Sequence, residues 1–396
     1  MESTRILLAV AAALLVGLAP LSGQAAEEPP AAPPAGDLSL KLEVQHAIER
    51  SLQWLAGQQN PAGYWSQPDH PALTGLVVTA FLNEPTGAIR ANPPAGVKKG
   101  LSQMLSAVQP DGGIYVKDLA NYNTSVVMTA LVATFDPAYE PILRRARSFL
   151  VGLQQDYDQP RETDNPMDGG IGYGSSYTHS DLSNTMFAME ALYYTKFLAR
   201  GQEGPAAELK DLNWEAALRF VSRCQNLPGM NDQPWASDDP ANRGGFIYFP
   251  GDSKAGEEEL EAGSGRKALR SYGSISYAGL LSLVYADLGP KDPRVRAVVE
   301  WLGKNFTLDE NPGMGAQGLY YYYHAMAKAL AAAGIDHLTL ADGSAVDWRR
   351  QLAVKLLDLQ RGDGSWVNEN GRWWEKDPVL VTSYAAIALE VIHRGL

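Results

Sequence analysis

The sequence predicts an all-α chain folded as one closed double ring of six helical hairpins. Three observations predict it: a short motif returns along the chain, a small apolar helical stretch follows each copy, and neither end shows the atypical polar face of a capping repeat. The motif is Q-x-x-x-G-x-W. It stands as Gln59, Gly63 and Trp65 after the helical face from Arg50, and returns as Gln360, Gly364 and Trp366 near the C-terminus. Gln109, Gly113 and Tyr115 repeat it with tyrosine in the last place. Two copies carry insertions: Gln154 resumes at Gly169-Gly170-Ile171-Gly172-Tyr173, and Gln225 at Gly244-Gly245-Phe246-Ile247-Tyr248. A sixth, eroded copy runs from Arg296 to Tyr320 with Phe306 in the glutamine's place.

The second helix of each pair begins, in order, near Leu73, Asn123, Asn184, Ile275, Tyr322 and Val381. These stretches are rich in small residues such as Gly75, Ala130, Ala188, Gly279, Ala329 and Ala388, which suit an inner layer where helices crowd together. The amphipathic first helices form the outer layer.

The repeats occupy residues 38–396, and what precedes them reads differently. Arg5 stands before an apolar run, Ile6 to Leu21, that ends in the small residues Ser22-Gly23-Gln24-Ala25-Ala26. That order is a signal peptide over 1–26, with cleavage after Ala25 or Ala26, and it directs the protein out of the cytoplasm to the periplasm or beyond. Residues 27–37 are a Pro/Ala-rich linker. No later segment is long and apolar enough to span a bilayer. With 33 Lys and Arg against 45 Asp and Glu, the net charge is −12, which argues against a nucleic-acid partner. A single cysteine, Cys224, excludes intrachain disulfides and multi-thiolate zinc sites, so no metal and no cofactor are expected.

The motif copies resemble the repeat of the squalene cyclase and protein prenyltransferase superfamily over about residues 40–394. That resemblance implies an (α/α)6 toroid enclosing a central cavity. Its class II terpene cyclases carry D-x-D-D-T at the start of the third inner helix, where this chain reads Asp181-Leu182-Ser183-Asn184-Thr185. Ser183 replaces the aspartate that protonates the substrate, and a hydroxyl is far too weak an acid for that step, so ordinary squalene cyclisation is not expected. The prenyltransferase branch needs a zinc thiolate. Cys224 instead reads as a buried structural residue beside the repeat glutamine.

In a closed ring the inner helices start at one mouth, where free N–H groups favour polar partners. Candidate catalytic residues there are His179, Asp181, Tyr322 and His324: a carboxylate, two imidazoles and a phenol that can orient a ligand or move a proton. Candidate ligand-binding residues are Asn123, Ser183, Asn184, Tyr272 and Tyr321. The alternative for each hydroxyl, amide and carboxylate is helix capping. The insertions Asp156 to Asp168 and Pro250 to Leu269 read as surface loops near the mouth. The expected function is binding of a ligand in the central cavity, be it a terpenoid, a saccharide or a peptide. A divergent terpene cyclase-like enzyme and a polysaccharide lyase-like enzyme using Tyr and His are the alternatives.

Overall fold

The computed structural model describes residues 35–174, 179–199, 211–259 and 267–396. The stretch read as a signal peptide and most of the stretch read as a linker lie outside them. Helix α1 (Ala35–Gly57) starts three residues inside the stretch read as a linker, directly after Pro34, because proline obstructs the residue before it and not the turn that follows.

Six long helices are almost wholly buried: α2 (Pro71–Leu82), α4 (Ala120–Ala133), α6 (Leu182–Tyr194), α8 (Gly273–Tyr285), α10 (Leu319–Ala332) and α12 (Pro378–Gly395). Each packs on the next, and α12 returns to α2, so the inner ring is closed. Outside it, and burying one face each, lie α1, α3 (Ala95–Ser106), α5 (Glu140–Gly152), α7 (Trp214–Arg223), α9 (Pro293–Lys304) and α11 (Trp348–Leu359). The chain is therefore an all-α (α/α)6 toroid. Strand among the described residues is confined to two short antiparallel hairpins, β1 (Glu257–Glu259) with β2 (Lys267–Leu269) and β3 (His337–Thr339) with β4 (Ala345–Asp347). None of the described helices is long and apolar enough to cross a membrane.

The repeat motif is the joint between neighbouring hairpins. The Gln59 amide donates to Gly63 O within its own turn and to Gly96 O at the start of the next outer helix. Gln154 joins Gly169 O to Asn213 O, Gln225 joins Gly244 O to Arg294 O, and Gln360 joins Gly364 O to Ala47 O. The last of these spans the seam between α11 and α1. Trp65 and Trp366 turn back into their own hairpins, donating from the indole to Leu55 O and Leu356 O.

The second copy is offset by one residue from the spacing read in the sequence. Gly112, not Gly113, has the positive φ and sits on the Arg145 carbonyl, and Gln109 donates to Ala107 O and Tyr115 O instead of to the next hairpin. Where the bridge is intact it is worth measuring. Gln225→Ala removes two hydrogen bonds from buried carbonyls and should cost about 1–3 kcal/mol in urea unfolding. An unchanged midpoint would show that the bridge does not hold the ring.

Candidate functional site

The level of threonines and serines at the inner-helix starts is built for the fold. Thr74, Thr124, Thr185, Ser276 and Thr382 each accept a hydrogen bond from the backbone of their own turn, at Trp65 N, Ile114 N, Ile171 N, Phe246 N and Trp366 N. Hairpin five, whose motif is eroded, ties its turn with phenols that donate instead. The Tyr322 hydroxyl donates to Thr307 O and the Tyr323 hydroxyl to Leu308 O.

The candidate residues divide into two groups. Asn123 accepts from Ala72 N and donates to Asp118 O, so its amide ties α4 to the start of α2. Asn184 donates to the Asp181 carboxylate, and Tyr322 packs between Tyr277 and Tyr323, turned away from the ring axis. Asn123 and Tyr322 are thus occupied in holding hairpins together, and Asn184 in holding the start of its own helix. Ser183, Tyr321 and His324 face the ring axis, with Tyr272 near Tyr321 at the start of α8.

Asp181 is fully buried as the N-cap of α6, accepting from Asn184 N at 2.8 Å and from Asn184 Nδ2 at 2.8 Å. Burial raises its pKa to about 6, against the lowering effect of these bonds, of the Tyr248 hydroxyl and of the Lys254 ammonium. Lys254 lies 4.3 Å from the Tyr248 ring centroid, and Tyr248 OH is 3.4 Å from Tyr173 OH. His179 packs its ring on Phe249 at 5.0 Å. Tyr272 caps α8 from an extended backbone, near enough to Tyr321 and Asp181 for their charges to raise its pKa further after burial has done so.

Contacts that skip a helix identify what faces the axis. Phe187 on α6 meets Tyr321 on α10 at 6.2 Å, past the intervening α8. Tyr122 OH on α4 lies 3.4 Å from Tyr384 OH on α12, past α2. Tyr122 also stacks edge-on against Phe187 at 4.9 Å, Tyr321 lies 5.9 Å from Tyr384, and Ser183 Oγ is 3.5 Å from Tyr321 OH. Tyr122, Ser183 and Tyr321 remain half-buried, which places them at the exposed end of this aromatic cluster. Sequence reasoning missed Tyr122, Phe187 and Tyr384. Their signal was register, since Phe187 and Tyr384 both stand two residues after the aligned Thr185 and Thr382.

His324 lies one turn deeper, with its ring 4.9 Å from Tyr384 and 4% of its surface exposed. Its Nδ1 has no hydrogen-bond partner among the described residues. Burial first and the nearby Lys328 second hold its pKa well below the usual histidine range, so the imidazole is neutral. Below it the Lys328 ammonium pairs with Glu190 of α6, again across α8. The Glu375 carboxylate accepts from Tyr320 N and Tyr321 N, capping α10 from hairpin six. Beside it Trp373 and Trp374 are 43% and 46% exposed, both at positive φ, with Trp374 edge-on to His70 and Trp373 against Gly318 at the start of α10.

The described residues contain no group of three or more His, Cys, Asp or Glu placed to hold a metal. Cys224 is buried at the end of α7, and burial raises its thiol pKa, so it is an inert packing residue.

No protein family's sequence profile matches the chain, and no curated protein matches it. Similar solved structures include a variant of the type II terpene cyclase MstE from Scytonema in complex with geranylgeranyl dihydroxybenzoate. It is 12% identical over 90% of this chain and 99% of that one, with a TM-score of 0.48. A protein from Actinoplanes is 14% identical, covering 89% and 100%, with a TM-score of 0.46. The ent-copalyl diphosphate synthase from Streptomyces platensis is 14% identical over 100% of both chains, with a TM-score of 0.23. Likenesses this distant carry nothing about chemistry, and the assignment of the chain to an (α/α)6 double ring rests on its own helix contacts.

Proposed function

We propose that this protein is an exported binding protein that holds a largely apolar ligand bearing a hydroxyl or carbonyl in the axial well, without cyclising it. The observation that carries the reading is the convergence of Tyr122, Ser183, Phe187, Tyr321, His324 and Tyr384 from four inner helices on one axis. Aromatic walls take an apolar body, and a few convergent phenols with a neutral imidazole orient one polar group. No arginine stands among these residues, which disfavours an anionic sugar and with it a lyase.

The acid needed for cyclisation is also missing. Protonating an alkene requires a strong carboxylic acid, whereas Asp181 titrates near 6 and its oxygens already accept the bonds that cap α6. Titration calorimetry with farnesol and 2-naphthol tests the reading. Both should bind, both should be lost in Ser183→Trp and weakened in His324→Leu, and farnesol should be recovered unchanged. A cyclic product, or binding indifferent to both substitutions, would overturn it.

A further inference from the structure

Away from the mouth, at the far ends of the inner helices, the fold forms a half-open cavity of about 730 Å³. It lies between the last turns of α8 and α10, helix α9, and the β3–β4 hairpin. This volume falls within the range of small-molecule sites. It arises in the hairpin whose repeat glutamine is replaced by Phe306. There the chain leaves α10 through Gly334 at φ +66° and lays the β3–β4 hairpin across α9. Gly303 permits that approach, because a Cβ there would strike the Thr339 carbonyl.

The walls are apolar, with Val284, Val295, Val299 and Ile335 among them. The charged groups at the rim are mostly matched. Asp287 pairs with Lys196 at 2.9 Å, and Glu300 with Lys304 at 2.6 Å. Arg296 is the exception: it is exposed at the rim and carries no ion pair among the described residues. In a chain of net charge −12, an unmatched guanidinium over an apolar cavity is a local reversal of sign.

Helix C-termini would normally repel an anion there, but these two are closed. Leu288 N donates to Leu283 O and Asp287 N to Val284 O, while Ile335 N donates to Leu330 O and Gly334 N to Ala331 O. Bonded carbonyls present little free negative charge to the cavity.

We propose that this cavity is a second binding site, for an aliphatic carboxylate, with the chain against the valine wall and the carboxylate on the Arg296 guanidinium. A planar fork of N–H donors matches a carboxylate in two parallel bonds, and the cavity has room for a medium-length alkyl chain.

Calorimetric titration with decanoate, decanol and butyrate tests it. Decanoate should bind, decanol and butyrate about tenfold or more weakly, since each lacks one half of the recognition. Arg296→Gln should weaken decanoate about tenfold and leave decanol unchanged. Because Arg296 is exposed, this variant keeps the fold. Val299→Trp, checked for a native melting transition, should abolish binding of both. Ser183→Trp, which fills the axial well, should leave decanoate binding intact, so failure here and failure of the axial reading are separate results. Equal affinity for decanoate in wild type and Arg296→Gln, no decanoate binding, or loss of it in Ser183→Trp would each overturn the proposal.

Discussion

Gly364→Ala should be the most damaging single-methyl substitution at the ring's seam. The residue has φ +93°, and an added Cβ would stand 2.6 Å from the Arg50 carbonyl oxygen of α1. A left-handed conformation costs a non-glycine residue about 1–2 kcal/mol, and forcing backbone apart adds about 1–3 kcal/mol, so the expected loss is about 2–5 kcal/mol. Two residues earlier the control is at hand: a Cβ at Gly362 meets nothing within 4 Å, and Gly362→Ala should stay within about 0.5 kcal/mol of wild type. Urea unfolding of both variants decides the matter. Equal midpoints would mean that α11 and α1 are not locked together and that the ring is open at this seam.

The second large effect is a dependence of stability on pH that disappears in Asp181→Asn. In the folded protein burial raises the Asp181 pKa from 3.8 to about 6. Between those values the folded chain holds a proton that the unfolded chain releases, so stability falls as pH rises. The contribution is fully present below about pH 4 and is lost as pH rises through about 6; two units correspond to about 3 kcal/mol. Asparagine keeps the oxygen that accepts from Asn184 N but has no proton to lose. The difference in urea midpoint between wild type and Asp181→Asn, followed from pH 4 to pH 7, removes the background of other carboxylates. A difference that stays flat across this range would show that Asp181 titrates normally and is not desolvated.

Much of the fold was legible because the motif is local. Gln59, Gly63 and Trp65 lie within seven residues, and the same order at Gln360, Gly364 and Trp366 fixes where a turn must form whatever the rest of the chain does. Burial of small residues on every second helix follows from composition alone. The site was less legible, because a helix-start residue looks the same in sequence whether it caps or binds. Asn123 and Ser183 are both small polar residues within two positions of an aligned threonine. Asn123 is buried, with its amide bonded to Ala72 N and Asp118 O, whereas Ser183 stays half-buried beside Tyr321. Tyr322 and Tyr321 are adjacent tyrosines on one helix, yet the 3.6-residue period turns one toward Tyr277 and the other toward Phe187.

What the sequence by itself determined is the set of hairpins, their order, and the absence of the strong acid at Ser183, since each depends on residue identity and short-range spacing. Tertiary structure decided three other things. It set the closure of α12 on α2, and that of α11 on α1 through the Gln360 bridge to Ala47 across most of the chain's length. It brought Tyr122, Phe187, Tyr321 and Tyr384 together from four separated helices. It also opened the cavity beneath α9. The physical reason is shared: hydrogen bonds within a turn are encoded by neighbours in sequence, while axial packing and the cavities between helices depend on how far each helix rotates when six of them close into a ring.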